Sequence, residues 1–141
     1  MGRFTKLHKL QNQARQLWVD ICYLRDGEVC AVEKHYPHIN TKHTEKYQVD
    51  HCFSQKIKRL FLEIANGTVV CDACNLNKNH SDAVRMAVYD IVKEREGSVF
   101  DRMRGEVEQG GPFPEWRRIR WLKDKISVLE EIKECYQKGI F

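Results

Sequence analysis

The sequence predicts a mostly helical α+β protein: a helical arm, a short β-hairpin carrying clustered metal-type ligands, and further helices. Two observations carry this. Apolar residues recur at steps of three and four near both ends of the chain, the signature of amphipathic helices. Between them, two β-prone runs, Tyr47-Gln48-Val49 and Thr68-Val69-Val70, lead into Asp50-His51 and Cys71-Asp72-Ala73-Cys74. The 141 residues are 42% hydrophobic, enough for a core and too apolar for a wholly disordered chain. They divide into an N-terminal helix (1–27), a ligand-rich centre (28–80) and a C-terminal helical region (81–141) with a linker near 109–114.

The N-terminal helix is expected over residues 5–25. Leu7, Leu10, Ala14, Leu17, Trp18, Ile21 and Leu24 form its apolar face. Cys22 lies beside that face as a small core residue. Arg25-Asp26-Gly27 ends the helix, with Gly27 in the left-handed position after it. Residues 28–46 read as a loop because of Pro37, Asn40 and Thr41. Tyr47-Gln48-Val49 then delivers Asp50 and His51 at a strand end. Phe61 to Ala65 packs the loop's return, Asn66-Gly67 signals a turn, and Thr68-Val69-Val70 forms the second strand. Ser81-Asp82 opens a helix with Val84, Ala87, Val88, Ile91 and Val92 on one face. Gly97 stops it, and Val99, Phe100 and Met103 mark a short helix. A last helix is expected from Pro114 to about Lys138, striped by Trp116, Ile119, Leu122, Ile126, Leu129, Ile132 and Tyr136.

Charged residues make up 31% of the chain and the formal net charge is +4, a mild excess that permits nucleic-acid binding without establishing it. The first residues lack the apolar core of an export signal. No run approaches the ~20 apolar residues of a membrane span. A cytoplasmic protein with reduced thiols and no membrane partner is expected. In that setting the six cysteines do not read as a disulfide framework. The tight Cys71/Cys74 spacing points to metal binding, with a redox pair the weaker reading because no βαβ pattern surrounds it.

The chemistry gathers at the hairpin. Asp50 is a hard oxygen donor suited to Mg²⁺ or Mn²⁺. His51 is the side chain best able to take a proton near neutral pH. Cys71 and Cys74 have zinc-knuckle spacing, Asn75 offers an amide oxygen, and Lys78 a positive charge. Metal, base and cation together are what phosphodiester hydrolysis requires. Cys30 stands where a second zinc-ligand turn would begin, but the expected partner position holds Glu33. The fourth ligand is therefore sought among the loop histidines: His35 first, then His38, then His43. Cys52, next to the base, is read as structural, and His80 as a spare candidate for the reacting site. Lys56, Lys58 and Arg59 form a basic loop between the strands, either a solvated loop or one suited to phosphate contacts. Arg117, Arg118 and Arg120 crowd the start of the last helix, a solvated face or a DNA-backbone contact.

Asp50-His51, Asn66, Cys71, Cys74, Asn75 and Lys78, taken together, resemble the HNH, or ββα-metal (His-Me finger), nucleases. The likeness covers residues 24–80, including Leu24-Arg25-Asp26-Gly27 before Cys30. Asn75 stands in place of the histidine of the family name. A looser likeness over most of the chain is to phage recombination nucleases of the Rap/NinG type, which act on branched DNA. The resemblance implies a small ββα-metal core with a zinc knuckle and metal-dependent cleavage of DNA, in the cytoplasm of a bacterial host if the protein is phage-encoded. Asp50 and Asn75 would hold Mg²⁺ or Mn²⁺, and His51, oriented by a backbone carbonyl, would deprotonate water. Asn66 would fix the loop that supplies this carbonyl, and Lys78 would offset phosphate charge. Cys30, His35, Cys71 and Cys74 would bind a structural zinc. Cutting a symmetric junction twice implies, by analogy, a homodimer. The competing class is a non-catalytic zinc-containing DNA-binding or recombination adaptor. Such a protein would need Cys71 and Cys74 but has little use for Asp50, His51, Asn75 and Lys78 together.

Overall fold

The computed structural model describes residues 2–39, 42–78 and 80–140. Helix α1 spans Gly2–Asp26 and buries Ala14, Trp18, Ile21 and Cys22. It ends as its sequence predicts: Gly27 takes a positive φ of 74° and its N–H donates to the Tyr23 carbonyl at 2.7 Å.

The segment expected to be all loop contains a short helix, α2 (Ala31–His35), with Cys30 as its N-cap residue. Pro37 stops this helix without preventing it, since proline restricts the residue before it and not the turn before that. Strand β1 (Tyr47–His51) follows, then a long loop with 3₁₀ turns at Lys58–Leu60 and Ile64–Asn66, then β2 (Gly67–Cys71). The strands pair antiparallel, with Asp50 opposite Thr68 and His51 opposite Gly67. Asn66-Gly67 does not make the tight turn its composition suggests. Gly67 has an extended φ of −95°, and glycine is needed for space: a Cβ there would meet the Cys22 Sγ at 2.5 Å and the Trp18 ring at 2.8 Å.

Helix α3 (Asp72–Asn77) starts directly from β2. Helix α4 (Asp82–Glu96) is capped by Ser81, whose side chain accepts the Val84 N–H. Gly97, at φ 58°, separates it from α5 (Ser98–Gln109). The last helix is shorter than expected: Pro114–Arg117 is a 3₁₀ turn, and α6 runs Ile119–Gln137. None of the described helices is long and apolar enough to cross a membrane.

Three apolar clusters fix the hairpin. One joins Val32, Val70, Cys71 and Cys74 to Val84 and Val88 of α4. A second joins Trp18 and Ile21 of α1 to Phe61, Leu62, Ile126 and Leu129, so that α6 braces α1. A third packs Phe53 and Leu60 of the loop on Phe100 and Met103 of α5. Two arginines pin the start of β2 from opposite helices. Arg25 donates to the Ile64 and Gly67 carbonyls at 2.8 and 2.7 Å, and Arg95 to those of Ala65 and Gly67 at 2.8 and 2.9 Å.

Candidate metal centre and reacting site

Successive residues of a strand point to opposite faces, so β1 sends Asp50 and His51 different ways. Asp50, with Gln48, faces α3; His51 faces α1. The His51 ring lies between the Trp18 indole, stacked at 4.2 Å and 9°, and the Phe61 ring at 4.7 Å. Its Nε2 lies 2.9 Å from the Phe61 carbonyl oxygen. A carbonyl can only accept, so Nε2 carries the proton and Nδ1 is left as the acceptor. Burial, opposed by that carbonyl and reinforced by the charges of Lys78, Arg15 and Lys58, pushes the His51 pKa down to about 4. The imidazole is therefore neutral at pH 7.

The carbonyl that orients His51 is itself held through Asn66, which is fully buried. The Asn66 Oδ1 accepts the Phe53 N–H at 2.7 Å, and its Nδ2 donates to the Phe53 and Leu60 carbonyls, both at 3.1 Å. Leu60 immediately precedes Phe61. Asn66 thus closes the loop from the inside and has no atom left for a ligand.

Asp50 is buried, at 8% exposure. Its Oδ1 accepts the Lys78 ammonium at 2.7 Å, while Oδ2 has no hydrogen-bond partner among the described residues. Burial raises the carboxyl's pKa and the Lys78 charge opposes this. Lys78 also donates to the His51 carbonyl at 2.9 Å. It is therefore more than a neighbour of the site, since it ties β1 to the end of α3.

Asn75 is oriented by a relay absent from the sequence reading. Asp72, acceptor-only when ionised, takes the Gln48 amide N–H₂ at 2.6 Å. Gln48 must then present its oxygen to Asn75, whose Nδ2 donates to it at 2.6 Å. This fixes the amide so that the Asn75 Oδ1 is left over. Asp50, with one carboxylate oxygen unpartnered among the described residues, and Asn75, with its amide oxygen left over, are hard donors of the type that Mg²⁺ or Mn²⁺ takes, and both residues line one cleft.

Asp50, His51, Asn75 and Lys78 line one cleft of about 690 Å³ with Arg15, Trp18, Gln48 and Lys56. Of the basic residues singled out in the sequence, Lys56 reaches this cleft. Lys58 stands beside it, half-buried, its ammonium 4.4 Å over the Phe61 ring. Arg59 turns away to the Phe113 ring and the Pro112 carbonyl. Arg117, Arg118 and Arg120 are exposed at the start of α6 and do not line the cleft. His80 is exposed and does not line it either. Cys52, expected to be structural, also lines this cleft, its thiol pushed by burial up to about 12.

On the far side of the hairpin, Cys30, His43, Cys71 and Cys74 bring one ligand atom each within 4.8 Å of one another. Zinc–sulfur and zinc–nitrogen bonds of about 2.3 and 2.0 Å give tetrahedral edges of about 3.8 Å between sulfurs and about 3.5 Å between sulfur and nitrogen. The Cys30–Cys74 sulfurs are 3.7 Å apart, and His43 Nδ1 lies 3.8, 3.5 and 3.4 Å from Cys30, Cys71 and Cys74. The cluster could hold a structural metal such as zinc. At Cys71 burial is outweighed by backbone N–H donors from Thr44 and Cys74, which lower the thiol, while burial and the neighbouring Cys30 and Cys71 sulfurs raise that of Cys74. Without a cation among them these sulfurs do not all ionise together.

The fourth member is His43, which corrects the expectation of His35. Helix α2 carries His35 to its exposed end, where it lines a pocket with Arg25, Asp26 and Arg95. His38 instead packs edge-on against Tyr36. The segment before β1 runs back beside the knuckle, with Asp72 N–H donating to the Lys46 carbonyl at 2.9 Å, and this brings His43 over the sulfurs. No spacing rule singles out His43, because it lies in irregular chain. Trp18, Gln48 and Arg15 were missed for a related reason. Trp18 reads as core from its periodicity, and only the tertiary fold sets its indole against His51.

No protein-family model matches this chain, and no curated protein and no solved structure matches it.

Proposed function

We propose that this protein is a metal-dependent DNA endonuclease of the HNH (ββα-metal) kind, acting on branched recombination intermediates. One observation carries the reading: Asp50 with an unpartnered oxygen, Asn75 with a fixed amide, and a neutral, carbonyl-oriented His51 line one cleft. A structural zinc site needs none of these three, so they favour chemistry over an adaptor role.

Mg²⁺ or Mn²⁺ held by Asp50 and Asn75 would supply Lewis-acid activation of the scissile phosphate and its leaving oxygen. His51 accepts the proton of the attacking water at Nδ1 while Nε2–H keeps its bond to the Phe61 carbonyl. The growing imidazolium charge is stabilised by that bond, and the Trp18 and Phe61 rings keep the imidazole in place. Lys78 holds Asp50 at the required position and adds positive charge beside the phosphate site. Zinc at Cys30, His43, Cys71 and Cys74 would fix the start of α3, and Cys74 adjoins Asn75 in the chain. Loss of zinc should therefore disable cleavage with every reacting residue intact.

The test is incubation of the protein with a Holliday junction, a flap and a linear duplex, with Mg²⁺ or Mn²⁺. Cleavage of branched substrates in preference to the duplex is expected. Binding without cleavage of any of them would favour the adaptor.

A further inference from the structure

Helix α1 carries a cation that nothing in the proposed chemistry uses. Arg15 follows the buried Ala14 and precedes Trp18 by three residues, so it shares the edge of the helix whose indole stacks on His51. It lines the reacting cleft. The side chain is exposed and makes no ion pair with any described residue. Arg25, Arg85, Arg95 and Arg102 all have carboxylate partners.

Lys58 lies near enough for repulsion to be felt. Burial first, and then the Arg15 charge, lower its pKa. Among the described residues its ammonium meets the Gln55 carbonyl at 3.0 Å and the faces of Phe61 and Trp116. Of the carboxylates lining the cleft, Asp50 is paired through Oδ1 with Lys78 and Asp72 accepts from Gln48, and neither is bonded to Arg15 or Lys58 among the described residues. Trp18 and Phe61 sandwich His51. Arg15 lies three residues before Trp18 on α1 and Lys58 sits over the Phe61 ring, so two like charges flank the imidazole, and an anion between them would relieve their repulsion. The same cleft holds the reacting groups, so an extended polyanion threaded past His51 would meet both.

We propose that Arg15, together with Lys58, grips a DNA backbone phosphate adjacent to the one attacked, so that α1 is part of the nucleic-acid-binding surface. This rests on the nuclease reading. Arg15 positions the strand, and its guanidinium suits bidentate phosphate contact.

The experiment is binding of a labelled DNA duplex by fluorescence anisotropy, with no divalent metal added, over a series of NaCl concentrations. Each phosphate contact contributes about 0.9 to the slope of log affinity against log salt. Arg15→Gln should weaken binding several-fold at low salt and reduce the slope by about 0.9, Lys58→Gln should do likewise, and Arg15→Lys should keep the slope. Arg85→Gln, removing a charge already balanced by Asp82 at 2.7 Å, should leave it unchanged. An Arg15→Gln slope equal to that of the wild type overturns the assignment while leaving the nuclease reading intact. Absence of salt-dependent binding by the wild type overturns both.

Discussion

Replacing Asn66 with alanine should destabilise the protein by about 3 kcal/mol. The figure follows from what the side chain does. Asn66 is fully buried and makes three hydrogen bonds, one from the Phe53 N–H and two to the Phe53 and Leu60 carbonyls. Alanine leaves a buried N–H without an acceptor, worth about 2 kcal/mol, and two under-satisfied carbonyls worth about 1 kcal/mol together. Water entering the small void recovers part of any larger loss. Against a total stability of about 5–15 kcal/mol the variant still folds, with a melting temperature lower by about 10 °C. Urea unfolding at fixed zinc should show a lower midpoint with an unchanged slope. The loosened loop also carries the Phe61 carbonyl that orients His51, so cleavage should fall even where the variant is fully folded. Asn75→Ala is the contrast: Asn75 is partly exposed, so stability should stay near that of the wild type while cleavage is lost. An Asn66→Ala midpoint within about 0.5 kcal/mol of the wild type would refute the loop-closing role.

Purified protein should carry about one zinc per chain; His43→Ala should lose it, His35→Ala should keep it, and metal analysis with the opposite pattern would reverse the ligand assignment. Stability should also fall on acidification through His51. Its folded pKa, about 4, lies below the ordinary histidine value of about 6.5, so the unfolded chain binds a proton that the folded chain refuses. The contribution is intact above about pH 6.5 and is lost progressively toward pH 4, reaching about 2 kcal/mol by pH 5. Relative to His51→Phe, which cannot titrate, the wild type should lose that amount between pH 7 and pH 5 in denaturant titrations; parallel curves would mean that His51 is not held neutral by burial. Gln48→Leu should leave the melting temperature unchanged but reduce cleavage, because Asn75 loses the partner that fixes its amide; unchanged cleavage would show that the relay does not matter.

What the sequence displayed openly was what short-range spacing can encode. The stripe around Trp18 and Ile21, the stop at Gly27, the Cys71/Cys74 knuckle and the Asp50-His51 pair each sit within a few residues of their partners in the pattern. His43 was not distinguishable from His35 and His38, because a ligand 13 residues from Cys30 in irregular chain leaves no periodic trace. Helix α2 was hidden by Pro37 and by its own shortness. Asn66-Gly67 has turn composition, yet Gly67 is there because Trp18 and Cys22, distant in sequence, leave no room for a Cβ. The clamp of Trp18 on His51 and the placing of Arg15 over the cleft are likewise products of α1 docking on the hairpin. No local window contains both halves of either contact.

The most direct measurement is metal-dependent cleavage of branched DNA by the wild type and by His51→Ala, compared at equal zinc content. The account predicts that the wild type cuts with Mg²⁺ or Mn²⁺ and that the variant binds the same DNA but cuts at least about 100-fold more slowly, the scale of a lost general base. A His51→Ala protein that cuts at the wild-type rate would contradict it.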